Sequence, residues 1–228
     1  MRRRIRSSEG AKDRPRCPAT AAAGGQEMQP RHHLLPLAIT MAFLATSCAR
    51  ESNREIPAAG VIELSDQFPG AYELIDTSGA TRTAASFAGD VAIIYFGFAS
   101  CPDVCPLALG RLSAALNELD PESLADVTPV FITVDPQRDT PDTLEQFLSF
   151  DDRIIGLTGD TSAIEAAKRS FKVYAAQEPL ADSELGYTVN HTSLFYVADR
   201  SGRPRVALKD SMTPGEIAAF LEKAVNWR

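Results

Sequence analysis

The stretch VAIIYFGFASCPDVCPLALGRLSAALNEL, residues 91–119, joins a strand pattern to a helix pattern and decides the fold. It begins with an unbroken apolar run, Val91–Phe98, whose β-branched and aromatic side chains are typical of a strand buried on both faces of a sheet. From Pro106 to Leu119, leucines recur at helical spacing behind an opening proline. The stretch therefore predicts a buried strand, a short loop that holds Cys101 and Cys105, and a helix.

The patterns on both sides extend this unit. Val127–Asp135 predicts a second strand, which completes a right-handed parallel βαβ unit. Helices are expected to begin at N-cap Thr140, at Asp160 or Thr161, and at the capping box of Thr213 and Glu216. A strand over Tyr187–Asp199 with the hairpin partner Arg205–Lys209, and an added hairpin within Ala71–Thr83, supply the remaining predicted strands.

This order of elements predicts an α/β fold with a thioredoxin-like layout. We expect a central mixed sheet flanked by helices, with the early hairpin as an N-terminal addition. Other mixed-sheet α/β folds are consistent with the same order.

The N-terminal part of the chain has the features of a targeting sequence. Residues 1–47 are interpreted as a targeting region, 48–60 as a polar tether and 61–228 as the folded domain. Arg31 precedes a short apolar run, Leu34–Ala45, as in a bacterial signal peptide, and the run is shorter than the roughly 20 residues that span a membrane. An Arg-rich mitochondrial transit peptide is the weaker alternative.

The end of this run also resembles a lipobox. The sequence LATSC predicts lipidation of Cys48, with ordinary signal cleavage or an uncleaved anchor as alternatives. Residues 1–27 are interpreted as the product of a start codon assigned too early, because Met28 would begin a more ordinary signal peptide.

Charge is divided unevenly along the chain. Residues 1–47 carry eight Lys or Arg and three Asp or Glu, a net of +5, and the rest carries 15 and 27, a net of −12. An acidic domain argues against non-specific nucleic-acid binding, which depends on neutralising phosphates with basic side chains. Export would place the domain outside the cytosol, where disulfides persist.

The CPDVC segment admits three roles: a structural disulfide, a redox pair or a metal clamp. A disulfide between Cys101 and Cys105 would close a tiny loop and stabilise little, so the structural role is the weakest. The pair lies between the carboxyl end of a strand and the start of a helix, where sites collect and thiolates are favoured. Each cysteine precedes a proline, so we expect both to lie in a loop that can change their separation.

The domain contains one histidine, His191. Two thiolates and an imidazole suit copper, whereas structural zinc normally takes four protein ligands. Two acidic residues near the pair have open roles: Asp103 is either an N-cap or a charge beside the metal, and Asp135 either supports the site or makes a turn. Arg138 and Asp139 are expected in a solvated loop.

Three motifs in order, CPDVCP, ITVDPQRDTP and NHTSLFYVAD, resemble the SCO/SenC family of membrane-tethered copper chaperones. The likeness covers Pro69 to the C-terminus. It implies a thioredoxin-like fold and copper, as Cu(I), Cu(II) or both, bound by Cys101, Cys105 and His191. It departs from the family where Asn190 replaces a frequent Asp before the histidine.

The resemblance also implies a function and partners. Family members help build the CuA centre of cytochrome c oxidase, so the expected partners are its subunit II or another copper protein, and a periplasmic copper donor. The expected location is the periplasmic side of a bacterial membrane, reached through the N-terminal anchor. The mitochondrial inner membrane is the less favoured location.

Two enzymatic alternatives are distinct from this function. Cys101 and Cys105 would act on partner cysteines in a thiol–disulfide oxidoreductase, although CxxC is the usual redox spacing and His191 would then have no evident role. Copper binding and thiol–disulfide exchange are compatible with each other, because the reduced dithiol is also the form that binds copper. A thiol peroxidase is disfavoured, since Phe98 occupies the position where a threonine or serine is expected.

Overall fold

The computed structural model of the chain describes residues 59–181 and 183–227. The described strands are β1 (Val61–Glu63), β2 (Glu73–Asp76), β3 (Thr81–Thr83), β4 (Val91–Gly97), β5 (Val127–Thr133), β6 (Ile155–Thr158), β7 (Ala175–Pro179), β8 (Tyr187–His191), β9 (Leu194–Ala198) and β10 (Pro204–Lys209). The helices are α1 (Val104–Glu118), α2 (Pro121–Ala125), α3 (Pro141–Leu148), α4 (Thr161–Phe171) and α5 (Pro214–Ala224). The predicted targeting region and Cys48 lie outside the described residues. Within those residues, every helix is too short or too polar to cross a membrane.

Eight of the described strands form one mixed sheet in the order β1-β10-β9-β4-β5-β6-β2-β3. Strands β4, β5 and β6 run parallel, and the other neighbouring pairs are antiparallel. Helices α1 and α5 pack together, α3 packs on β6 and α4 packs on β2. The predicted central mixed sheet flanked by helices is confirmed.

Strand β4 is the centre of the hydrophobic core. All seven of its residues are buried, as the apolar run predicts. The strand pairs in parallel with β5 and antiparallel with β9. Tyr95 lies opposite Phe131 on one side and Phe195 on the other, with ring centroids 6.5 and 5.1 Å away. These cross-strand aromatic contacts fix the strand whose end leads into the cysteine segment.

The predicted starts of α3, α4 and α5 are confirmed. Thr140 and Asp160 cap α3 and α4 by accepting a backbone N–H three residues on, and Pro141 is the first residue of α3. Thr213 and Glu216 form the expected capping box at the start of α5. The early hairpin is also confirmed as β2 and β3, and β2 pairs further with β6, so the hairpin extends the main sheet.

Two predictions near the cysteines and the histidine are wrong. Helix α1 begins at Val104, two residues before the predicted start, and takes Cys105 into its first turn. Pro106 is tolerated there because the first N–H groups of a helix have no intrahelical partner. The bias of a residue before proline away from helical dihedrals is overcome as Cys105 becomes fully buried.

The predicted strand over Tyr187–Asp199 is instead two strands in different sheets. Strand β8 pairs with β7 in a separate two-stranded sheet, and β9 lies in the main sheet. The chain changes sheets at Thr192, whose N–H donates to the Tyr174 carbonyl at 2.9 Å. This break places His191 at the end of the smaller sheet, whose other strand, β7, was not predicted.

Candidate metal centre

The two cysteines lie on either side of the start of α1. Cys101 is in the loop after β4 and is partly exposed, whereas Cys105 is in the first turn of α1 and is fully buried. The Cys101 N–H donates to the Phe98 carbonyl at 3.2 Å. The Cys105 N–H donates to the Cys101 sulfur at 3.4 Å, so a free amide of the helix start faces that sulfur. Both cysteines are free thiols in this structure.

Gly97, the last residue of β4, makes room for the buried sulfur. A β-carbon at this position would lie 2.9 Å from Cys105 Sγ and 2.8 Å from Cε2 of Phe131. Both separations are shorter than normal contacts, so only glycine allows the strand to approach the cysteine this closely. Sequence reasoning did not single out Gly97, although a glycine inside a strand pattern is a known sign of close approach.

His191 reaches the cysteines from the end of β8. Its Nε2 atom lies 3.5 Å from Cys105 Sγ. The Nδ1 atom lies 3.0 Å from the Thr192 carbonyl, which can only accept a hydrogen bond, so Nδ1 carries the proton. Nε2 is therefore the ring nitrogen that faces the sulfur. The rings of Phe98 and Tyr95 approach the imidazole edge-on, with centroids 5.8 and 6.2 Å away.

The two thiols have opposite acid–base properties. Hydrogen bonding with the Cys105 side chain, with further contributions from His191 and backbone amides, lowers the pKa of Cys101 to about 3. The same hydrogen bond, together with burial, raises the pKa of Cys105 well above its usual range. The metal-free pair therefore shares one proton, held on Cys105, and presents the exposed Cys101 as a thiolate.

A line of hydrogen bonds lies beside the buried thiol. The Tyr95 hydroxyl lies 2.7 Å from Ser193 Oγ, and Ser193 donates to the Asp210 carboxylate at 2.7 Å. Arg111 on α1 donates to the Asp210 carbonyl at 3.2 Å. These contacts tie the central strand and α1 to the segment that follows His191. Sequence reasoning did not find these hydrogen bonds, because Tyr95, Ser193 and Asp210 belong to separate segments of the chain.

The structure distinguishes the two acidic residues whose roles were open. Asp103 occupies the N-cap position of α1, but its exposed side chain makes no capping hydrogen bond, so the plain capping role is wrong. It lines the cleft beside Cys101 and His191. Asp135 is 1% exposed and accepts hydrogen bonds from the Tyr187 hydroxyl at 2.7 Å and from Arg138 Nε at 2.5 Å. Its role exceeds that of a simple turn residue.

The expectation that Arg138 and Asp139 lie in a solvated loop is also wrong. Asp139 is 1% exposed, and Arg138 is partly buried over the ring of Tyr187. Asp139 accepts hydrogen bonds from the Thr133 hydroxyl and the Ala99 N–H, and burial raises its pKa above the usual value for a carboxyl group. In the sequence both charged residues look like surface residues, because their backbone partners lie in distant segments.

Two of the three candidate ligands, Cys101 and His191, line one cleft, and the buried Cys105 contacts His191 beside it. Cys101, Val104, Val189 and His191 are among the residues that line it. Within the described residues, no group of three or more His, Cys, Asp or Glu side chains is already arranged to hold a metal ion. Cys101 lies in a loop, whereas Cys105 is fixed in a helix. The donors would therefore converge on one ion mainly through movement of Cys101.

The fold and the cleft define a thioredoxin-like protein in which a dithiol at the start of a helix faces an imidazole from a separate hairpin. The chain belongs to the SCO1/SenC family, which it matches over residues 62–226. It is 36% identical over 172 residues to a SCO2-like protein of Rickettsia felis, covering 74% of this chain and 83% of that protein.

Solved structures give the same result. ScoI of Bradyrhizobium japonicum, solved with copper bound, is 38% identical and has a TM-score of 0.63, with 69% of this chain and 99% of that chain covered. Yeast Sco1 with copper bound is 32% identical and has a TM-score of 0.64, with 71% of this chain and 90% of that chain covered. Both support the thioredoxin-like fold that the sequence predicts.

Proposed function

We propose that this chain is a copper-binding metallochaperone that helps assemble the CuA centre of cytochrome c oxidase, with Cys101, Cys105 and His191 as its copper ligands. The observation that carries the proposal is the 3.5 Å approach of the Cys105 sulfur to His191 Nε2, made by residues 86 positions apart. Two sulfurs and an imidazole nitrogen form a donor set that suits copper in either oxidation state.

The charge state of the cleft suits a metal that is carried and then released. Cys101 supplies a thiolate at neutral pH because its pKa is lowered. His191 presents its Nε2 atom towards the sulfur, and Cys105 gives up its proton when the metal binds. Cys101 is the partly exposed member of the pair, so it is the ligand that a partner protein would reach first during copper transfer.

The copper-bound structures of Bradyrhizobium japonicum ScoI and yeast Sco1 support this proposal. They favour copper binding over the thiol–disulfide oxidoreductase alternative, in which His191 would have no task. The expected copper acceptor is subunit II of the oxidase, and a periplasmic copper protein is the expected donor.

The location follows from the N-terminal pattern. We propose residues 1–47 as the targeting region, 48–60 as the tether and 61–228 as the copper-binding domain on the periplasmic side of a bacterial membrane. Lipidation of Cys48 would anchor the chain. Membrane fractionation of cells that express the wild type or Cys48→Ser tests this anchor, and equal membrane retention of the two proteins would contradict lipidation.

Metal analysis of the full chain, purified without oxygen and loaded with copper, tests the function. We expect about one copper per chain in the wild type, as three ligands around one ion require. His191→Ala, Cys101→Ala and Cys105→Ala should each lower the affinity by more than the roughly 10–100-fold that loss of an outer-sphere partner costs. Tyr174→Ala is the matched control, because that side chain is 60% exposed. Full copper affinity in His191→Ala would exclude the three-ligand site.

A further inference from the structure

The motif ITVDPQRDTP, residues 132–141, has buried polar residues that the ligand set does not explain. Its charged residues Asp135, Arg138 and Asp139 follow β5 directly, and we call these three residues the brace. They lie between the two segments that supply the candidate ligands. One side of the brace contacts the cysteine loop and the other side contacts the strand that carries His191.

Asp139 holds the cysteine loop. Its Oδ2 atom accepts the Ala99 N–H at 3.0 Å and the Thr133 hydroxyl at 2.6 Å. Ala99 lies two residues after Gly97 and two residues before Cys101. The carboxylate therefore fixes the backbone between the end of β4 and the first cysteine.

Arg138 holds the hairpin. Its Nη1 atom donates to the carbonyls of Leu185 and Tyr187, each at 3.1 Å. The guanidinium carbon lies 3.8 Å from the centroid of the Tyr187 ring. Asp135 completes this side, because it accepts the Tyr187 hydroxyl at 2.7 Å and also pairs with Arg138. Tyr187 is the first residue of β8 and His191 is the last.

The hairpin needs such an anchor. Strand β8 pairs with β7 alone, and a two-stranded sheet has little stability of its own in water. Contacts with the rest of the domain must therefore set the position of His191. Arg138 also lies 5.8 Å from the Phe98 ring centroid, and that ring touches the imidazole edge-on. The brace thus reaches the histidine through the strand and through the aromatic neighbour.

We propose that Asp135, Arg138 and Asp139 are positioning residues that fix His191 relative to the two cysteines and thereby set the affinity and geometry of copper binding. This inference rests on the proposed copper function. The brace contacts the backbone and the aromatic neighbours of the ligands, so it acts through the ligands.

The first test concerns the metal-free full chain. Arg138→Met keeps the apolar length of the side chain but loses its donors. Backbone hydrogen exchange should become at least about tenfold faster over residues 187–191 in this variant. Local opening of β8 then no longer requires the hydrogen bonds from Arg138 to be broken. Arg153→Met is the matched control, since Arg153 also pairs with an aspartate, Asp151, and donates to a backbone carbonyl. It should leave exchange over 187–191 unchanged.

The second test is copper affinity, measured by competition with a chelator, together with the sulfur-to-copper charge-transfer band. Arg138→Met should weaken binding about 10–100-fold and shift the band, as loss of an outer-sphere partner does. Asp139→Ala should behave similarly, because the Ala99 N–H then loses its acceptor.

The outcomes separate the brace from the proposed function. A wild-type chain that binds no copper defeats the proposed function, while the exchange experiment still decides the brace. Wild-type exchange, affinity and band position in Arg138→Met would overturn the brace. An equal loss of affinity in Arg153→Met would also overturn it, because the effect would then follow global stability.

Discussion

The Sγ atom of Cys105 lies 3.5 Å from the Nε2 atom of His191, although the two residues belong to different structural units. Cys105 is in the first turn of α1, against the central strand of the main sheet. His191 ends β8 in the two-stranded sheet. Their contact therefore depends on how the small sheet is held against the large one, and on the space that Gly97 leaves for the sulfur.

The two cysteines should differ in reactivity in the reduced, metal-free protein. The lowered pKa of Cys101 makes it a thiolate at pH 7, and its side chain is partly exposed. Cys105 is fully buried and its pKa is raised, so it remains a protonated thiol. Iodoacetamide treatment followed by peptide mass spectrometry of the segment that holds both cysteines should show an adduct on Cys101 and none on Cys105, with a rate at Cys101 that is nearly constant between about pH 5 and 8 because the thiolate is the nucleophile.

The denatured protein supplies the control, because both thiols should then react with an ordinary pH dependence near 8.5. Preferential modification of Cys105 in the folded protein would contradict the assigned order of the two thiols.

Gly97→Ala should disturb the buried cysteine. The new β-carbon would lie within 3 Å of both Cys105 Sγ and the Phe131 ring, so the sulfur or the strand must move. We expect a loss of about 1–3 kcal/mol in unfolding free energy, typical of overpacking, and a weaker affinity for copper. Gly110→Ala is the control, since nothing lies within 4 Å of a β-carbon there. Wild-type copper affinity in Gly97→Ala would show that the strand yields without moving the sulfur.

Local patterns predicted most of the main sheet and its helices. The apolar run of β4 and the capping residues of α3, α4 and α5 depend on neighbours in sequence, and each was found as predicted. The start of α1 and the division of the strand after His191 were missed. The first depends on the burial of Cys105, and the second depends on where the small sheet packs, so neither is determined by local propensity.

The roles of Arg138 and Asp139 in the brace were missed for a related reason, whereas a supporting role of Asp135 was one of the two alternatives left open. Asp139 has the sequence character of a surface residue, and its burial is explained by its bonds to the Thr133 hydroxyl and to the distant Ala99 N–H. The short spacing of Asp135, Arg138 and Asp139 after a buried strand was visible in sequence, and sites collect at such strand ends. The partners of these charges could not be known without the fold.

The protein should lose stability in acid through two buried carboxylates. Hydrogen bonds from Ser78 and Arg82 lower the pKa of Asp76 to about 2, and hydrogen bonds from Arg153 and Ser113 lower the pKa of Asp151 to about 2. Both groups titrate near 3.9 when unfolded, so their stabilisation is complete above about pH 5 and is lost as the pH falls towards 2. Denaturant unfolding across this range measures the loss.

Protonation of Asp139 has the opposite effect on stability in acid. Because the pKa of Asp139 is raised, its protonation favours the folded state, and Asp139 therefore offsets part of the loss. The double variant Asp76→Asn, Asp151→Asn should be less stable at pH 7 and should show a flatter dependence between pH 4 and 2. An unchanged slope in the double variant would assign acid unfolding to other groups.

Tyr95→Phe should separate the ring of Tyr95 from its hydroxyl. The ring contacts with His191 and Phe195 remain in phenylalanine, so the imidazole keeps its place. The lost hydrogen bond to Ser193 should cost about 0.5–1.5 kcal/mol of unfolding free energy, since Ser193 still donates to Asp210.

The Tyr95 hydroxyl also lowers the pKa of Cys105 through a hydrogen bond, so its removal in Tyr95→Phe raises that pKa further. Copper must displace the Cys105 proton, and this thiol is protonated in both proteins between about pH 6 and 8, so the copper affinity of Tyr95→Phe should be lower than that of the wild type by a similar factor across this range. Chelator competition measures the difference, and equal copper affinities of the two proteins would exclude a role of the hydroxyl at the buried thiol.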